Sequence, residues 1–313
     1  MIDALKALFK QPGWVIVLVS GVLLVAFPCV TIDKDYHWST HPPSSLWPVW
    51  CGIALLVVSV CVLAFTFWTK YRSEEVGGGL DLTRVKENKG VRWTTVGGCE
   101  IRVIEGRIQD YTPDAGTVIV LPCNEYFDDR CAGDSRSALG AYVNRAFEGQ
   151  VEAFVSLMQD ECKKTFGSGH LEQKTNDERA ESFGAGRCVL LLKPLGRSVP
   201  VAVVSTTTQR AGEGLSARIS YQFQGMRELV ARLADARLSE LAMPIMGAGH
   251  GRIDPPLAFV GLLLAVAEAA RYGQGGQRLR RVTIIVFKRD GDTPPEVDQV
   301  VVRRALALIG SRD

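Results

Sequence analysis

Two short segments of the sequence combine residue types that bind anions and nucleotides. Residues 121–129 read Leu-Pro-Cys-Asn-Glu-Tyr-Phe-Asp-Asp, and residues 244–251 read Pro-Ile-Met-Gly-Ala-Gly-His-Gly. Three glycines within five positions let backbone N–H groups approach a phosphate without obstruction by Cβ atoms. Each segment follows a predicted strand, and open α/β sheets bind ligands at the carboxyl ends of their strands. The pattern therefore predicts an anion site, although such a glycine run is also typical of a tight turn between a strand and a helix.

The overall composition limits the partners that are consistent with these segments. The chain has 313 residues with 36 Lys+Arg against 34 Asp+Glu, so its formal net charge is +2. This near balance gives no bulk electrostatic reason to bind nucleic acid. A hydrophobic fraction of 47% excludes disorder as the main state. We therefore expect a folded domain with a strongly apolar piece attached.

The eight cysteines indicate neither a disulfide framework nor a metal site. They form no Cys-x-x-Cys pair, and no second Cys or His pair stands at zinc spacing from Cys123 and Cys131. We expect free thiols in a reducing compartment. The sequence accordingly predicts no metal and no cofactor.

Two uncharged apolar runs near the N-terminus predict a transmembrane hairpin. They cover about residues 14–30 and 49–68, and the second would be about 30 Å long as a helix, the thickness of a hydrocarbon core. Five of the six tryptophans lie in this region, mostly at the ends of the runs, where aromatic rings anchor in bilayers. Basic residues flank the pair of runs on both sides: Lys6, Lys10, Lys70 and Arg72. The positive-inside rule then predicts a two-pass protein of the cell membrane with both termini in the cytoplasm.

The composition divides the chain into three parts. Residues 1–73 hold the predicted hairpin, 74–98 form a polar segment with three consecutive glycines, and 99–313 have the pattern of a packed domain. Consecutive glycines favour a flexible chain, so we predict a linker over 74–98. The third part is long enough for one well-packed hydrophobic core.

Alternating strand and helix patterns in the third part predict an α/β domain. Short β-branched runs predict strands at 100–104, 117–121, 188–193, 199–204, 241–246 and 282–287. Helical spacing of apolar residues predicts helices at 135–157 with a break at Gly149, at 217–238, at about 254–272 and at 295–309. Asp254 before two prolines marks the start of the third helix, because proline is favoured in a first turn. This order favours a three-layer α/β/α domain with a mixed sheet.

The order of the two loop segments resembles that of the macro domain, a fold that binds ADP-ribose. In that fold an asparagine loop lies near the distal ribose, and a later Gly-x-Gly loop holds the phosphates. Asn124 matches the asparagine, and residues 247–251 match the phosphate loop. The resemblance covers about residues 100–313 in element order. It implies that Asn124 binds a ribose hydroxyl or a group conjugated to it, and that the backbone of 247–251 holds the diphosphate of an ADP-ribose derivative.

Three departures from the macro-domain pattern favour ligand recognition over hydrolysis. Arg107 stands where macro domains carry the aspartate that holds the adenine amino group. Residues 130–136 replace a glycine-rich first phosphate loop, and their arginines could clamp phosphates in bidentate fashion. Residues 148–183 form an insertion before the next strand. We predict these ligand-binding residues: Asn124, Glu125, Tyr126, Phe127, Arg130, Arg136, Gly247, Ala248, Gly249, His250 and Gly251.

A membrane hairpin fused to a divergent macro domain is similar in layout to the membrane-anchored effectors of type II Thoeris antiphage systems. Residues 124–128, Asn-Glu-Tyr-Phe-Asp, look like that family's form of the asparagine loop. In that family a TIR-domain partner makes a small nucleotide signal, histidine conjugated to ADP-ribose, from NAD. The resemblance implies that the macro-like domain binds this signal, and that the protein then forms a homo-oligomer and disrupts the lipid bilayer.

Two other functions stay open on the sequence. A membrane-tethered ADP-ribosyl hydrolase would need a general base, and Asp128, Asp129 and His250 are the nearby candidates, none at a diagnostic spacing. A non-catalytic anchor would tether an ADP-ribosylated protein without a change of oligomeric state. The resemblance favours the effector, in which His250 either contacts the ligand or is a loop residue exposed to water.

Overall fold

The chain divides into two units, of which the first is described only in part. The computed structural model describes residues 30–32, 38–40, 80–175, 178–210, 212, 214–272, 278–289, 291 and 293–310. Within the unit Met1–Gly79, strands β1 (Val30–Ile32) and β2 (Trp38–Thr40) pair antiparallel. Apart from Val30, the predicted membrane spans lie outside the described residues. The transmembrane hairpin therefore stays a prediction.

The second unit, which we call the C-terminal domain, covers Leu80–Asp313 and begins earlier than predicted. Strand β3 (Lys86–Asn88) pairs antiparallel with β4 (Val91–Val96), and β4 pairs antiparallel with β5 (Cys99–Gly106). The predicted linker over 74–98 is therefore wrong from Leu80 onward. All three residues of β3 are exposed, so this strand at the sheet edge needs no apolar pattern and has the composition of a linker.

The remaining elements alternate along the C-terminal domain. The strands are β6 (Thr117–Asn124), β7 (His170–Gln173), β8 (Arg179–Ser182), β9 (Cys188–Leu191), β10 (Val201–Arg210), β11 (Gly214–Ala217), β12 (Glu240–Pro244) and β13 (Arg281–Phe287). The helices are α1 (Asp129–Ala132), α2 (Ala138–Ala146), α3 (Val151–Phe166), α4 (Ile219–Ala236), α5 (Pro255–Tyr272) and α6 (Gln299–Ile309).

Nine strands form one mixed sheet in the order β11-β10-β6-β12-β13-β5-β4-β3, with β9 also paired to β10. The neighbours β10, β6, β12, β13 and β5 are parallel, whereas the pairs at both edges are antiparallel. Alternate residues of a strand face opposite sides of a sheet. Along β6, Val118 and Val120 pack with α4, α5 and α6, while Ile119 and Leu121 pack with α1, α2 and α3. The predicted three-layer α/β/α arrangement with a mixed sheet is therefore confirmed.

The inserted segment contains structure that the sequence pattern did not predict. The predicted helix over 135–157 is broken at Gly149 as expected, where φ is +75°, but α3 then continues to Phe166. The hairpin β7–β8 follows, and β7 is exposed along its whole length. A strand without a buried face lacks the alternation by which strands are recognised.

Helix α5 belongs to the core of the C-terminal domain. It is the one helix within the described residues that is long and apolar enough, by length and composition, to cross a bilayer. Half of it is buried within the protein, and Phe259, Leu262 and Val266 are fully inaccessible to solvent. Its apolar composition is thus explained by packing between α4 and α6.

Candidate functional site

A cavity of about 510 Å³ opens at the carboxyl ends of the parallel strands, and we call it the main cavity. Parallel strands direct all their following loops to one edge of the sheet, so distant segments meet there. The strands end at Gly106 in β5, Pro244 in β12 and Phe287 in β13, and these residues line the cavity. Residues outside the strands that complete its wall include Ile108, Arg136, Ala138, Gly249, His250 and Glu296.

The glycine-rich loop forms one wall of the main cavity, which Gly247, Ala248, Gly249, His250 and Gly251 all line. Gly247 has φ +85°, a conformation that favours glycine, and its carbonyl accepts a hydrogen bond from the Ile253 N–H at 3.1 Å. A Cβ on Gly251 would lie 2.6 Å from the Ala217 Cβ and the Gly247 carbonyl oxygen. A Cβ on Gly249 would meet no atom within 4 Å. The fold therefore requires glycine at 247 and 251, whereas the bare backbone at 249 faces open space.

Arginines surround the outer end of this wall. A second pocket of about 440 Å³, the outer pocket, shares residues with the main cavity and is lined by Arg130, Cys131, Asp134, Arg136, Leu215, Gly249, His250 and Arg252. The Arg136 guanidinium donates to Asp134 at 2.9 and 3.0 Å and is 82% exposed. These bonds lower the pKa of Asp134 to about 2. Arg136 can therefore turn towards an anion in either pocket at little cost, because exposed ion pairs are weak.

Asn124 is the last residue of β6 and lies outside the linings of the main cavity and the outer pocket. Its side chain is fully buried and lines neither pocket. The Asn124 Nδ2 donates to Asp128 Oδ1 at 2.9 Å, and its Oδ1 accepts from the Tyr126 N–H at 3.1 Å. Asn124 thus closes the turn that follows β6. These bonds engage the side-chain amide in the structure, and its contact with a ribose hydroxyl stays a prediction.

Glu125, Tyr126 and Phe127 are also buried and line neither the main cavity nor the outer pocket. The Gln209 N–H donates to Glu125 Oε1 at 2.7 Å, and the Tyr126 hydroxyl donates to the Gln209 carbonyl at 3.4 Å. Phe127 packs edge-on against Phe183 with 6.1 Å between ring centroids. In the structure these three side chains fasten the loop to β10 and to the end of the β7–β8 hairpin, and their contact with a ligand stays a prediction.

A buried ion pair holds the start of α1. Lys174 Nζ lies 2.7 Å from Asp128 Oδ2, and the two side chains are 8% and 9% exposed. Burial opposes the charge of Lys174, but hydrogen bonds to Asp128 and Glu178 outweigh it and raise the pKa of this amine. Asp128 Oδ1 also accepts from the Arg130 N–H at 3.1 Å, so Asp128 caps the helix. A single lysine in a polar run gives no sequence signal for such a pair.

The candidates for catalysis and metal binding are dispersed. Asp128 is held by Lys174, and Asp129 is exposed and lines neither pocket, which leaves His250 as the hydrolase candidate that faces the main cavity. The thiol of Cys131 also lines the cavity, but burial raises its pKa to about 12. Among the described residues, no group of three or more His, Cys, Asp or Glu side chains could hold a metal ion.

Three residues that line the main cavity carried no recognisable pattern in the sequence. They are Phe287, Arg289 and Glu296. Arg107, at the position where the resemblance expects an acidic adenine contact, does not line the cavity, although its neighbours Gly106 and Ile108 do. An apolar strand end followed by polar residues, as in 287–296, is too common a pattern to predict a site.

Glu125→Gln is expected to reduce the pH dependence of stability. Burial raises the pKa of Glu125 to about 7, and its Oε2 has no hydrogen-bond partner among the described residues. Because folding raises this pKa, the folded state holds a proton that the unfolded state has already released. The free energy of unfolding is therefore highest below the unfolded pKa and decreases as the pH rises through 7. This loss is about 3 kcal/mol for the wild type between pH 4.5 and 8. Urea unfolding across this range should show a smaller decrease in Glu125→Gln and an unaltered one in the control Glu152→Gln, which is exposed. If the free energy of unfolding decreased equally with pH in the wild type and both variants, the raised pKa of Glu125 would be wrong.

Comparisons with known proteins return macrodomain structures. The Oceanobacillus iheyensis macrodomain with ADP is similar at 10% identity with a TM-score of 0.44, over 63% of this chain and 88% of that one. The macrodomain of Thermus aquaticus DarG is similar at 18% identity with a TM-score of 0.37, over 59% of this chain and 97% of that one. The Trypanosoma brucei macrodomain in complex with ADP-ribose is similar at 13% identity with a TM-score of 0.41, over 67% of this chain and 69% of that one. No protein-family profile matches the sequence, and no curated protein does.

Proposed function

We propose that the main cavity binds an ADP-ribose derivative and that this binding activates a membrane effector. The observation that carries the proposal is the glycine-rich loop, whose backbone at Gly249 faces open space in the cavity that the exposed Arg136 also lines. Backbone N–H groups in such a loop bind phosphate oxygens, and an arginine adds bidentate hydrogen bonds. A diphosphate bound at this wall can accept hydrogen bonds from both the backbone N–H groups and the arginine.

The size and the lining of the main cavity fit a whole nucleotide. Its volume of about 510 Å³ lies within the range of small-molecule sites. The polar loop and Phe287, which is 42% exposed and offers an aromatic surface, both line it. A purine base packs well on such a surface. A dinucleotide-like ligand therefore spans the cavity with its phosphates at the loop and its base near β13.

The N-terminal part of the chain supplies the proposed output. The apolar runs 14–30 and 49–68, with tryptophans at their ends, support a two-pass anchor in the cell membrane with both termini cytoplasmic. The proposed signal is histidine-conjugated ADP-ribose or a related product of a TIR-domain protein, made during phage infection. Binding would drive homo-oligomerisation, and many copies of the hairpin together would disrupt the bilayer. A hairpin without ionisable residues in its spans requires such assembly to affect permeability.

The full chain in dye-loaded liposomes tests this proposal. ADP-ribose, histidine-conjugated ADP-ribose, cyclic ADP-ribose and NAD are added in turn, and melting temperature, oligomer mass and dye release are recorded. A ligand at 100 times its Kd should stabilise the protein by about 2.7 kcal/mol. We expect one ADP-ribose derivative to stabilise, to increase the oligomer mass and to release dye. No stabilisation by any of the four would overturn the nucleotide site.

Arg136→Ala is expected to weaken nucleotide binding by about 10-fold or more, since a charge-assisted contact to phosphate is lost. The matched control is Arg227→Ala, which removes an arginine that is 70% exposed and pairs with Glu268 on α5, where it lines neither pocket. The same liposome assay also separates the alternatives. Turnover of the nucleotide without dye release would indicate the hydrolase, in which His250→Ala should abolish turnover. Stabilisation without a larger oligomer would indicate the anchor.

A further inference from the structure

The end of α5 and the start of β13 lie at the edge of the sheet opposite the main cavity, which is at the carboxyl ends of the parallel strands. Helix α5 connects the parallel strands β12 and β13, so it runs back along the sheet towards their amino ends. A Cβ on Gly97, in the turn before β5, would lie 2.9 Å from the Ala270 carbonyl oxygen. The Arg280 carbonyl accepts a hydrogen bond from the Glu100 N–H at 2.9 Å, again at the start of β5. Arg271 and Arg280 therefore lie at the amino ends of the strands.

The first residues of the C-terminal domain reach the same end of the sheet. The Arg84 guanidinium donates to the Gly310 carbonyl at 3.0 Å. The Arg271 guanidinium donates to the Ile309 carbonyl at 2.9 Å. Two arginines thus converge on the carbonyls at the end of α6, where the negative end of the helix dipole favours cations. The start of the domain, the end of α5 and the end of α6 are therefore neighbours.

Exposed apolar side chains and arginines without carboxylate partners are found together at this end. Three large apolar side chains are exposed there: Tyr272 (76%), Leu308 (60%) and Leu82 (48%). Three exposed arginines form no ion pair with the described residues: Arg271, Arg280 and Arg304. Arg304 lies one helical turn before Leu308, so the two share one face of α6. We call these six residues the amino-end surface.

Carboxylates do not cancel the charge of the amino-end surface. Four carboxylates at or beside this end already have arginine partners: Asp81 with Arg84, Glu100 with Arg102, Glu240 with Arg281 and Glu268 with Arg227. The three arginines of the surface therefore leave an excess of positive charge around its apolar side chains.

A short stretch of chain connects this end of the domain to the predicted second membrane span. That span covers 49–68, and the C-terminal domain begins at Leu80. The residues between them reach at most about 40 Å, the length of a fully extended chain. A bilayer that held the span would therefore lie within reach of the surface to which Leu82 belongs.

We propose that the amino-end surface docks the C-terminal domain on an anionic lipid bilayer. The inference rests on the membrane anchor of the proposed function and is independent of the nucleotide site. Arginines attract the phosphate groups of anionic lipids, and each basic residue near such a bilayer strengthens binding about fivefold. Aromatic and leucine side chains enter the boundary between headgroups and acyl chains. A second copy is a poorer occupant, since a two-fold contact would set the same arginines against one another.

Docking through the amino-end surface leaves the main cavity facing away from the bilayer. The cavity lies at the carboxyl ends of the parallel strands, and the docking surface lies at their amino ends. A nucleotide can therefore reach the cavity while the domain is docked.

Hydroxyl-radical footprinting of the full chain in vesicles tests this inference. The chain is reconstituted into phosphatidylcholine vesicles with and without phosphatidylglycerol, and mass spectrometry reads the oxidation of individual side chains. We expect Tyr272 and Leu308 to be oxidised about fivefold less, or lower still, in the vesicles that contain phosphatidylglycerol. Leu257, at the other end of α5, and Leu171, on β7, are also exposed and should be oxidised equally in both kinds of vesicle.

Arg304→Glu is the variant that tests the role of charge. It changes the charge of the amino-end surface by two units, so docking should weaken about 25-fold and Tyr272 should lose its protection. Arg304 is exposed and has no ion pair with the described residues, so we expect an unaltered melting temperature. The matched control Arg145→Glu reverses an arginine that is 71% exposed on α2, against the other face of the sheet, and should keep the protection.

The outcomes separate docking from the membrane anchor. If the full chain does not float with the vesicles, the anchor is wrong and the proposed function fails with it. If the chain floats but Tyr272 and Leu308 are oxidised equally in both kinds of vesicle, only the inference on docking is wrong. Protection that persists in detergent, without a bilayer, would indicate contact with a second copy and would also overturn the inference.

Discussion

Lys174→Met is expected to destabilise the C-terminal domain by about 3–5 kcal/mol, because it leaves the Asp128 carboxylate buried without its cation. In the wild type the two charged atoms are 2.7 Å apart and both side chains are nearly inaccessible. Asp128 also caps α1 and accepts from Asn124, so its displacement would release α1, which carries Arg130, and the following loop, which carries Arg136. We therefore expect loss of nucleotide binding along with the loss of stability.

The double variant Asp128→Asn, Lys174→Met distinguishes a buried charge from lost packing. The amide oxygen introduced at position 128 can still accept from the Arg130 N–H, and no uncompensated charge is left. The double variant should therefore be more stable than Lys174→Met alone. Lys164→Met serves as a control, because this lysine is 77% exposed and its ion pair with Glu161 is worth little. Urea unfolding monitored by circular dichroism gives the free energies. If the double variant were as unstable as Lys174→Met, the instability would not come from an unpaired Asp128 charge.

Gly251→Ala is expected to weaken nucleotide binding by on the order of 100-fold and to destabilise the domain by about 1–3 kcal/mol. The new Cβ would lie 2.6 Å from Ala217 and from the Gly247 carbonyl oxygen, so the loop must shift. Such a shift moves the backbone N–H groups that we assign to the diphosphate. Calorimetric titration with ADP-ribose and thermal unfolding measure the two effects.

Gly249→Ala is the matched comparison for Gly251→Ala. Its Cβ would meet no protein atom within 4 Å, so the melting temperature without ligand should be unaltered. The residue lines both the main cavity and the outer pocket, and we expect the methyl group to reduce nucleotide affinity because it occupies ligand space. If Gly249→Ala and Gly251→Ala affected stability equally, the steric distinction between the two glycines would be wrong. If neither affected binding, the loop would not hold the phosphates.

Local pattern predicted most of the secondary structure and the position of the glycine-rich loop. Asp254 followed by two prolines predicted the start of α5, and the helix runs from Pro255 to Tyr272. The apolar run near 282–287 became β13, a central strand of the sheet. These predictions succeeded because proline geometry and the periodicity of buried residues act over a few positions. The predicted linker failed over β3 and β4, and β3 is an exposed edge strand with the polar composition of a linker.

The identity of the site residues depended on contacts between distant parts of the chain. The sequence by itself determined that Asn124 follows a strand and that glycines 247, 249 and 251 follow another. Only the tertiary structure decided that Asn124 turns into the core towards Asp128, that Lys174 neutralises Asp128, and that Glu296 joins the end of β13. A polar residue type shows that a hydrogen bond will be made, but its partner is set by which strands and loops the sheet brings together.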